Sequence, residues 1–223
     1  MSVVWPRKVL IPRNAAIDAA PQTTAGPTAL SGFRQTIASP AAVWLITYEQ
    51  IPVVTINDRL AWRALQVLIE GRATQIILPV FDRDELKPLA FASDLAGPHG
   101  DGAYFSDGSG YLTWRSHVVL TASIIRGATQ LTAQRIAGPA LQPGQHFSIA
   151  DRLYRIARVV SESGATATLT FWPPAREAAS TGAVLNFETP RVTVRLVDDK
   201  GLDLNLGLGR NAAPTVRFIE DPY

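Results

Sequence analysis

Between Thr55 and Gly71 the apolar positions Ala61, Trp62, Leu65, Leu68 and Ile69 recur at three- and four-residue spacing, with Arg59, Arg63 and Glu70 on the wet face. That period predicts one amphipathic helix over 56–70, the only long helix expected. Thr55-x-x-Asp58 has the form of a capping box at its start, and Gly71 that of a C′ stop at its end. On either side the period changes. Ala42 to Tyr48 and Thr74 to Val80 are short β-branched or aromatic runs that predict strands, the second closed by Pro79. The first eleven residues predict another short strand around Trp5, interrupted by Pro6.

Beyond residue 116 the texture is that of a β domain. Strand-like runs follow one another at 117–125, 130–136, 146–149, 153–160, 165–171 and 184–187. Gly127, Gly138, Pro143-Gly144, Ser163-Gly164 and Gly182 punctuate them, as in a small barrel or sandwich. Arg191 to Asp198 predicts one more strand, Asp199-Lys200-Gly201 a turn, and Leu202 to Ile219 a weaker final segment. Two stretches carry no period. Asp94 to Gly110, dense in Gly, Asp, Ser and Pro, predicts an exposed loop. Pro12 to Pro40, rich in Ala, Pro, Thr and Ser, predicts an extended arm. A loop of that length is uncommon unless it reaches for something, and Leu30 and Phe33 are costly to leave in water. The expectation is an arm draped over a neighbouring subunit.

The 223 residues are 47% hydrophobic and 18% charged, a globular composition rather than a disordered one. The net charge of +2 is spread along the chain and makes no basic tract of the kind a nucleic-acid binder needs. Eighteen of the cations are Arg and three are Lys (Lys8, Lys87, Lys200), a bias that suits fixed, forked contacts at subunit interfaces. There is no cysteine, which excludes disulfides, thiol catalysis and thiolate metal sites. Three scattered histidines (His99, His117, His146) would need carboxylates to hold a metal. No apolar run is long enough to predict a membrane span, and Met-Ser-Val-Val-Trp-Pro-Arg-Lys lacks the apolar region of a signal peptide. The expectation is a protein that stays in the cytoplasm or leaves it inside an assembly.

Several clusters have the residue types of a site, and each has a plainer explanation. His99, Asp101, Ser106 and Asp107 contain the residue types of a hydrolase triad, which would fit a cell-wall hydrolase acting through the Asp94 to Gly110 loop. No nucleophile elbow or Gly-x-Ser-x-Gly accompanies them. Asp101-Gly102 through Gly110 lacks the ligand spacing and terminal Glu of a calcium loop. Gly207-Leu208-Gly209-Arg210 lacks the third glycine and helix of a dinucleotide site. Strand alternation predicts that Arg155 points away from Arg152 and Arg158, with Tyr154 and Ile156 on the face of the outer two, which makes no basic groove. Trp44, Trp62, Trp114 and Trp172 are candidate sugar platforms, with Trp62 better read as core and Trp172 as an exposed ring at a strand end. The expectation is no catalytic residue, no cofactor and no metal.

Two stretches are similar to a known family. Leu60-Ala-Trp-Arg-Ala-Leu-Gln-Val-Leu-Ile-Glu-Gly-Arg72, with the strand to Pro79, resembles the helix-and-strand segment of siphophage distal tail proteins and related tail-hub proteins. Leu141-Gln-Pro-Gly-Gln-His-Phe-Ser-Ile149 with Arg152-Leu-Tyr-Arg155 resembles their inserted β module. So do Thr168-Leu-Thr-Phe-Trp-Pro-Pro174, Arg176, Glu188-Thr-Pro190 and Val192-Thr-Val-Arg-Leu196. The loop Asp101-Gly-Ala-Tyr-Phe-Ser-Asp-Gly-Ser109 also looks like one of that group. The resemblance implies a β-sandwich-like belt domain from 1–114 and 191–223, with an inserted OB-like or galectin-like barrel at 115–190. It implies a non-enzymatic virion protein at the tail tip, assembled in the host cytoplasm. There it forms a ring, usually hexameric, between tail-tube protein and hub or fibre proteins, around a channel that passes DNA without reading it. An alternative is a module that binds host-surface carbohydrate or holds a receptor-binding protein.

Overall fold

A computed structural model of the chain describes residues 2–28, 30–82, 87, 96–97, 106, 111–112, 116–205 and 211–222. In chain order, β1 (Val3–Val4), β2 (Asn14–Thr28), β3 (Arg34–Glu49), helix α1 (Ile56–Leu68) and β4 (Ile76–Pro79) precede a short pair, β5 (Ala96–Gly97) and β6 (Tyr111–Leu112). Then come β7 (His117–Leu120), β8 (Gln130–Ala137), β9 (His146–Ile149), β10 (Arg152–Ser163), β11 (Thr166–Trp172) and β12 (Val184–Asn186), followed by β13 (Arg191–Leu196) and β14 (Val216–Glu220). The protein is mainly β with a single α-helix among the described residues, and it contains a closed barrel. The chain divides into two compact units, one from 1–79 with 193–223 and one from 80–192.

The first unit is a six-stranded sheet in the order β1-β4-β13-β14-β3-β2. Alternation on β3 and β14 sends Trp44, Ile46, Tyr48, Val216 and Phe218 inward, while Leu45, Arg217 and Ile219 face out. Trp5 stands at the middle of this core, edge-on to Tyr48 (5.7 Å), Phe218 (5.7 Å) and the helix's Trp62 (6.3 Å). Each such pair adds about 1 kcal/mol beyond the area it buries. The indole N–H groups are satisfied: Trp5 donates to Leu10 O and Trp62 to Leu202 O, at 2.9 and 2.8 Å. Buried Glu220 accepts from the Trp44 amide, and the Tyr48 hydroxyl donates to Pro79 O. Burial holds the Tyr48 phenol far above its ordinary pKa.

Helix α1 begins as its sequence dictates. The Thr55 hydroxyl accepts from Asp58 N at 3.2 Å, and the Asp58 carboxylate accepts from Thr55 N at 2.8 Å. Although desolvation opposes it, the amides of Thr55 and Val54 and the Thr55 hydroxyl hold the Asp58 carboxyl below its usual pKa. That part of the cap's stability is present above the ordinary carboxylate value and is lost as pH falls through the depressed one. Thr55→Ala is expected to remove about 1 kcal/mol in urea unfolding at neutral pH. The deficit should narrow in acid, where the wild-type cap weakens too.

The end of the helix departs from expectation. α1 stops at Leu68, its cap residue is Ile69, and Gly71 lies beyond in a 3₁₀ turn (Gly71–Ala73) at φ 57°. A Cβ at Gly71 would stand 2.8 Å from Asp199 Oδ1, which accepts from Arg72 N (3.0 Å) and Arg72 Nε (3.2 Å). Those two donors hold the Asp199 carboxyl below its usual pKa. Glycine is therefore required by conformation, and a Cβ there would also push the Asp199 carboxylate off Arg72. Gly71→Ala should lower stability by about 1–2 kcal/mol, read as a drop in Tm.

The second unit holds the barrel, closed in the order β10-β11-β8-β7-β12-β9. Phe147 centres its core, with Tyr154 (5.6 Å), Phe171 (6.1 Å) and Phe187 (5.4 Å) around it. Val118, Leu120, Leu131, Ile156, Leu169 and Leu185 fill the remainder. Closure leaves no free strand edge in the barrel.

Three expectations are corrected. The stretch 12–40 is not an irregular arm: β2 and β3 form one long antiparallel hairpin, paired from Asn14↔Glu49 to Thr28↔Arg34. Its outer part has no core behind either face, so no alternation of apolar and polar residues marks it. The strand expected around Trp5 is only Val3–Val4, parallel to Ile76–Ile77, after which the chain turns. Leu68, assigned to the buried helical stripe, is 57% exposed, whereas Trp62, Leu65 and Ile69 are buried.

Candidate functional site

The outer hairpin is the feature that sets this chain apart from a self-contained domain. β14 reaches β3 only at Leu45–Tyr48, and among the described residues the ribbon from Gln22↔Ser39 to Thr28↔Arg34 pairs only with itself. Two-stranded ribbons are marginal in water on their own. This one carries large apolar residues toward its tip: Leu30 is fully exposed, Phe33 80% and Ile37 64%. Its charge is one Arg34, whose Nε donates back to Gly26 O at 3.0 Å. β2 is also a sheet edge, with Pro21 and Pro27 interrupting its pairing register near the bulges at Ala20/Gln22 and Ala25/Thr28.

A second arrangement lies on the barrel. His146 Nδ1 is 2.7 Å from Asp82 Oδ2, and Arg155 Nε donates to His146 Nε2 at 2.8 Å. The register of the β9–β10 hairpin places His146 opposite Arg155. Since Arg can only donate, Nε2 is the acceptor and the proton sits on Nδ1, facing Asp82. Both ring nitrogens are therefore engaged, and the three side chains form a clamp between β9, β10 and the chain at Asp82. Val80 N donates to Pro190 O at 2.8 Å, so the two chain ends of this unit are also tied together. The Asp82 and His146 side chains are only 9% and 8% exposed. His146→Leu should lower stability by about 3 kcal/mol, since it strips a partner from buried charged groups. A reduced urea midpoint at unchanged m-value would register it.

A third feature is an open cleft of about 550 Å³, also in the barrel unit, lined by Ser116, Asp151, Asn186, Glu188, Thr189 and Arg191 among others. The buried Ser116 hydroxyl has no partner among the described residues, and Asn186 is spent in a turn on Thr189.

The clusters weighed from sequence fare differently. His99, Asp101, Asp107, Trp114 and Gly207 to Arg210 lie outside the described residues, and Ser106 is an exposed turn residue. Among the described residues no group of three or more His, Asp or Glu is placed to hold a metal. No described helix is long and apolar enough to cross a membrane. Arg152 is engaged by Glu177 at 2.7 Å and Arg155 by His146. The expected facing of the three arginines is corrected. A bulge between Ile156 and Arg158 resets the alternation, so Arg158 pairs with Thr170 and is exposed rather than sharing the inward face of Tyr154 and Ile156. Trp44 and Trp62 are fully buried, and Trp172 is half-buried. No protein-family model and no curated protein matches the chain.

Proposed function

We propose that the chain is a structural ring subunit of a siphophage-type tail tip, acting by assembly and not by catalysis. In this account the sheet unit builds the ring, and tail-tube protein and hub or fibre proteins bind the ring's two sides. The channel passes DNA without reading its sequence, and the protein resides in the virion after assembly in the host cytoplasm. The observation that carries the proposal is the ribbon beyond Gln22↔Ser39, with Leu30, Phe33 and Ile37 held out in solvent. A ribbon of that kind is stable when a second molecule covers it, and head-to-tail covering makes a ring where the rotation between copies closes. The closed barrel, by contrast, offers no edge for polymerisation. The order of the motifs resembling distal tail proteins supports the same reading.

The test is co-sedimentation of the full chain with polymerised tail-tube protein. Saturable binding at a fixed ratio of copies per tube end is expected. Failure to bind tubes of any length would count against the proposal.

A second reading rests on the cleft near Ser116, whose Asp151, Glu188 and Arg191 suit a saccharide or a peptide turn of a receptor-binding protein. Glycan arrays probed with the full chain separate the two readings: selective saccharide binding lost in Glu188→Ala would favour this one.

A further inference from the structure

Helix α1 carries two apolar stripes, and the core uses one of them. Trp62, Leu65 and Ile69 are buried. On the other side Ile56, Leu60, Ala64, Val67 and Leu68 recur at helical spacing, and Ile56 is 61%, Leu60 56%, Val67 79% and Leu68 57% exposed. Val54, just before the cap, continues the patch at 49%. A helix that merely roofs a sheet has a polar outer face, and this one has Arg63 set in an apolar field. The patch needs a cover, and nothing else in the described chain supplies one.

We infer that the cover is the hairpin tip of a second copy of this chain, with Leu30, Phe33 and Ile37 seated on the Ile56–Leu60–Val67–Leu68 stripe of the next subunit. The inference rests on the ring proposal and specifies its junction. Three observations select this occupant. The tip and the stripe are both mainly apolar, with a single Arg beside each (Arg34 and Arg63) and no acidic residue in either, so both suit an apolar partner and neither a cationic one. They occur once each per chain, so every copy donates one and accepts one, which is the stoichiometry of a heterologous closed ring. The areas are also adequate: each side offers on the order of 500 Å² of apolar surface, or about 1,000 Å² per junction, the size at which specific interfaces begin. The ribbon extends roughly 35 Å past its last pairing with the sheet body, at the usual rise per strand residue, far enough to lie across a neighbour.

The chain contains no cysteine, so engineered thiols report a single pair. Full-length Phe33→Cys and Leu60→Cys variants are prepared separately, checked for wild-type far-ultraviolet circular dichroism, then mixed and oxidised. Both substitutions are at exposed positions, so folding is preserved. The expected result is a covalent dimer from the mixture and none from either variant alone. Cross-linking of Phe33→Cys with itself would overturn the inference, because it would mean symmetric tip-to-tip contact. So would the absence of any mixed dimer while light scattering shows the wild-type ring intact, and there the ring proposal survives. A wild-type chain that is monomeric at every concentration overturns both.

Discussion

Trp62→Ala is expected to lower the unfolding free energy by about 4 kcal/mol, a large share of what a domain of this size possesses. Trp62 is wholly buried, touches Trp5 edge-on at 6.3 Å, and through it couples to Tyr48 on β3 and Phe218 on β14. Its indole N–H also holds Leu202 O, to which Gln66 Nε2 donates as well. Alanine therefore leaves a cavity, removes an aromatic contact and strips one donor from a carbonyl that Gln66 still engages. Trp62→Phe keeps most of the volume and loses the hydrogen bond, so it should cost about half as much. Urea unfolding of both variants checks the order. If alanine cost less than 1 kcal/mol, the helix would not be fastened to the sheet through this ring.

The second large effect falls on assembly. Leu30→Ser with Phe33→Ser should leave the fold intact and abolish the ring at concentrations where the wild type is fully assembled. Both side chains lie in solvent in the single chain, so monomer stability should change by less than about 0.5 kcal/mol. As anchors of a junction, each is worth about 2 kcal/mol, so the pair should weaken each contact on the order of a thousandfold. Sedimentation velocity on wild type and variant separates these quantities. Unchanged assembly would show that the tip is not part of the junction.

The parts of this fold that are legible from sequence are those whose own residues carry the instruction. The Thr55–Asp58 box and the spacing of Trp62, Leu65 and Ile69 place α1, because capping and burial act within one helix. The barrel strands are legible because glycine turns separate apolar runs that face a shared core. The hairpin over 14–49 was hidden for the opposite reason. Where no core lies behind a ribbon, Ala, Thr and Pro suffice, and only Ala42 to Tyr48 shows alternation. The clamp of Asp82, His146 and Arg155 escaped because Asp82 is remote in sequence. Half of it was within reach: a two-residue turn at Ala150-Asp151 mirrors Ile149 onto Arg152, and continuing the count sets His146 against Arg155. The bulge after Ile156 could not be read, since Ala157 and Arg158 give no sign of which residue is extra.

The exposed stripe on α1 is a lesson about pattern. Ile56, Leu60 and Val67 lie off the stripe that the core uses, and a search for one amphipathic face passes over them. Apolar residues on two sides of a helix indicate two neighbours, and the described residues supply only one of them.

The most direct test of the account is the mass of the full-length protein in solution by light scattering, taken across a range of concentrations and followed by negative-stain imaging. The expected result is a closed ring, with six copies, in equilibrium with monomer and lost in the Leu30→Ser, Phe33→Ser variant. A monomer at every concentration, with or without tail-tube protein present, would contradict it.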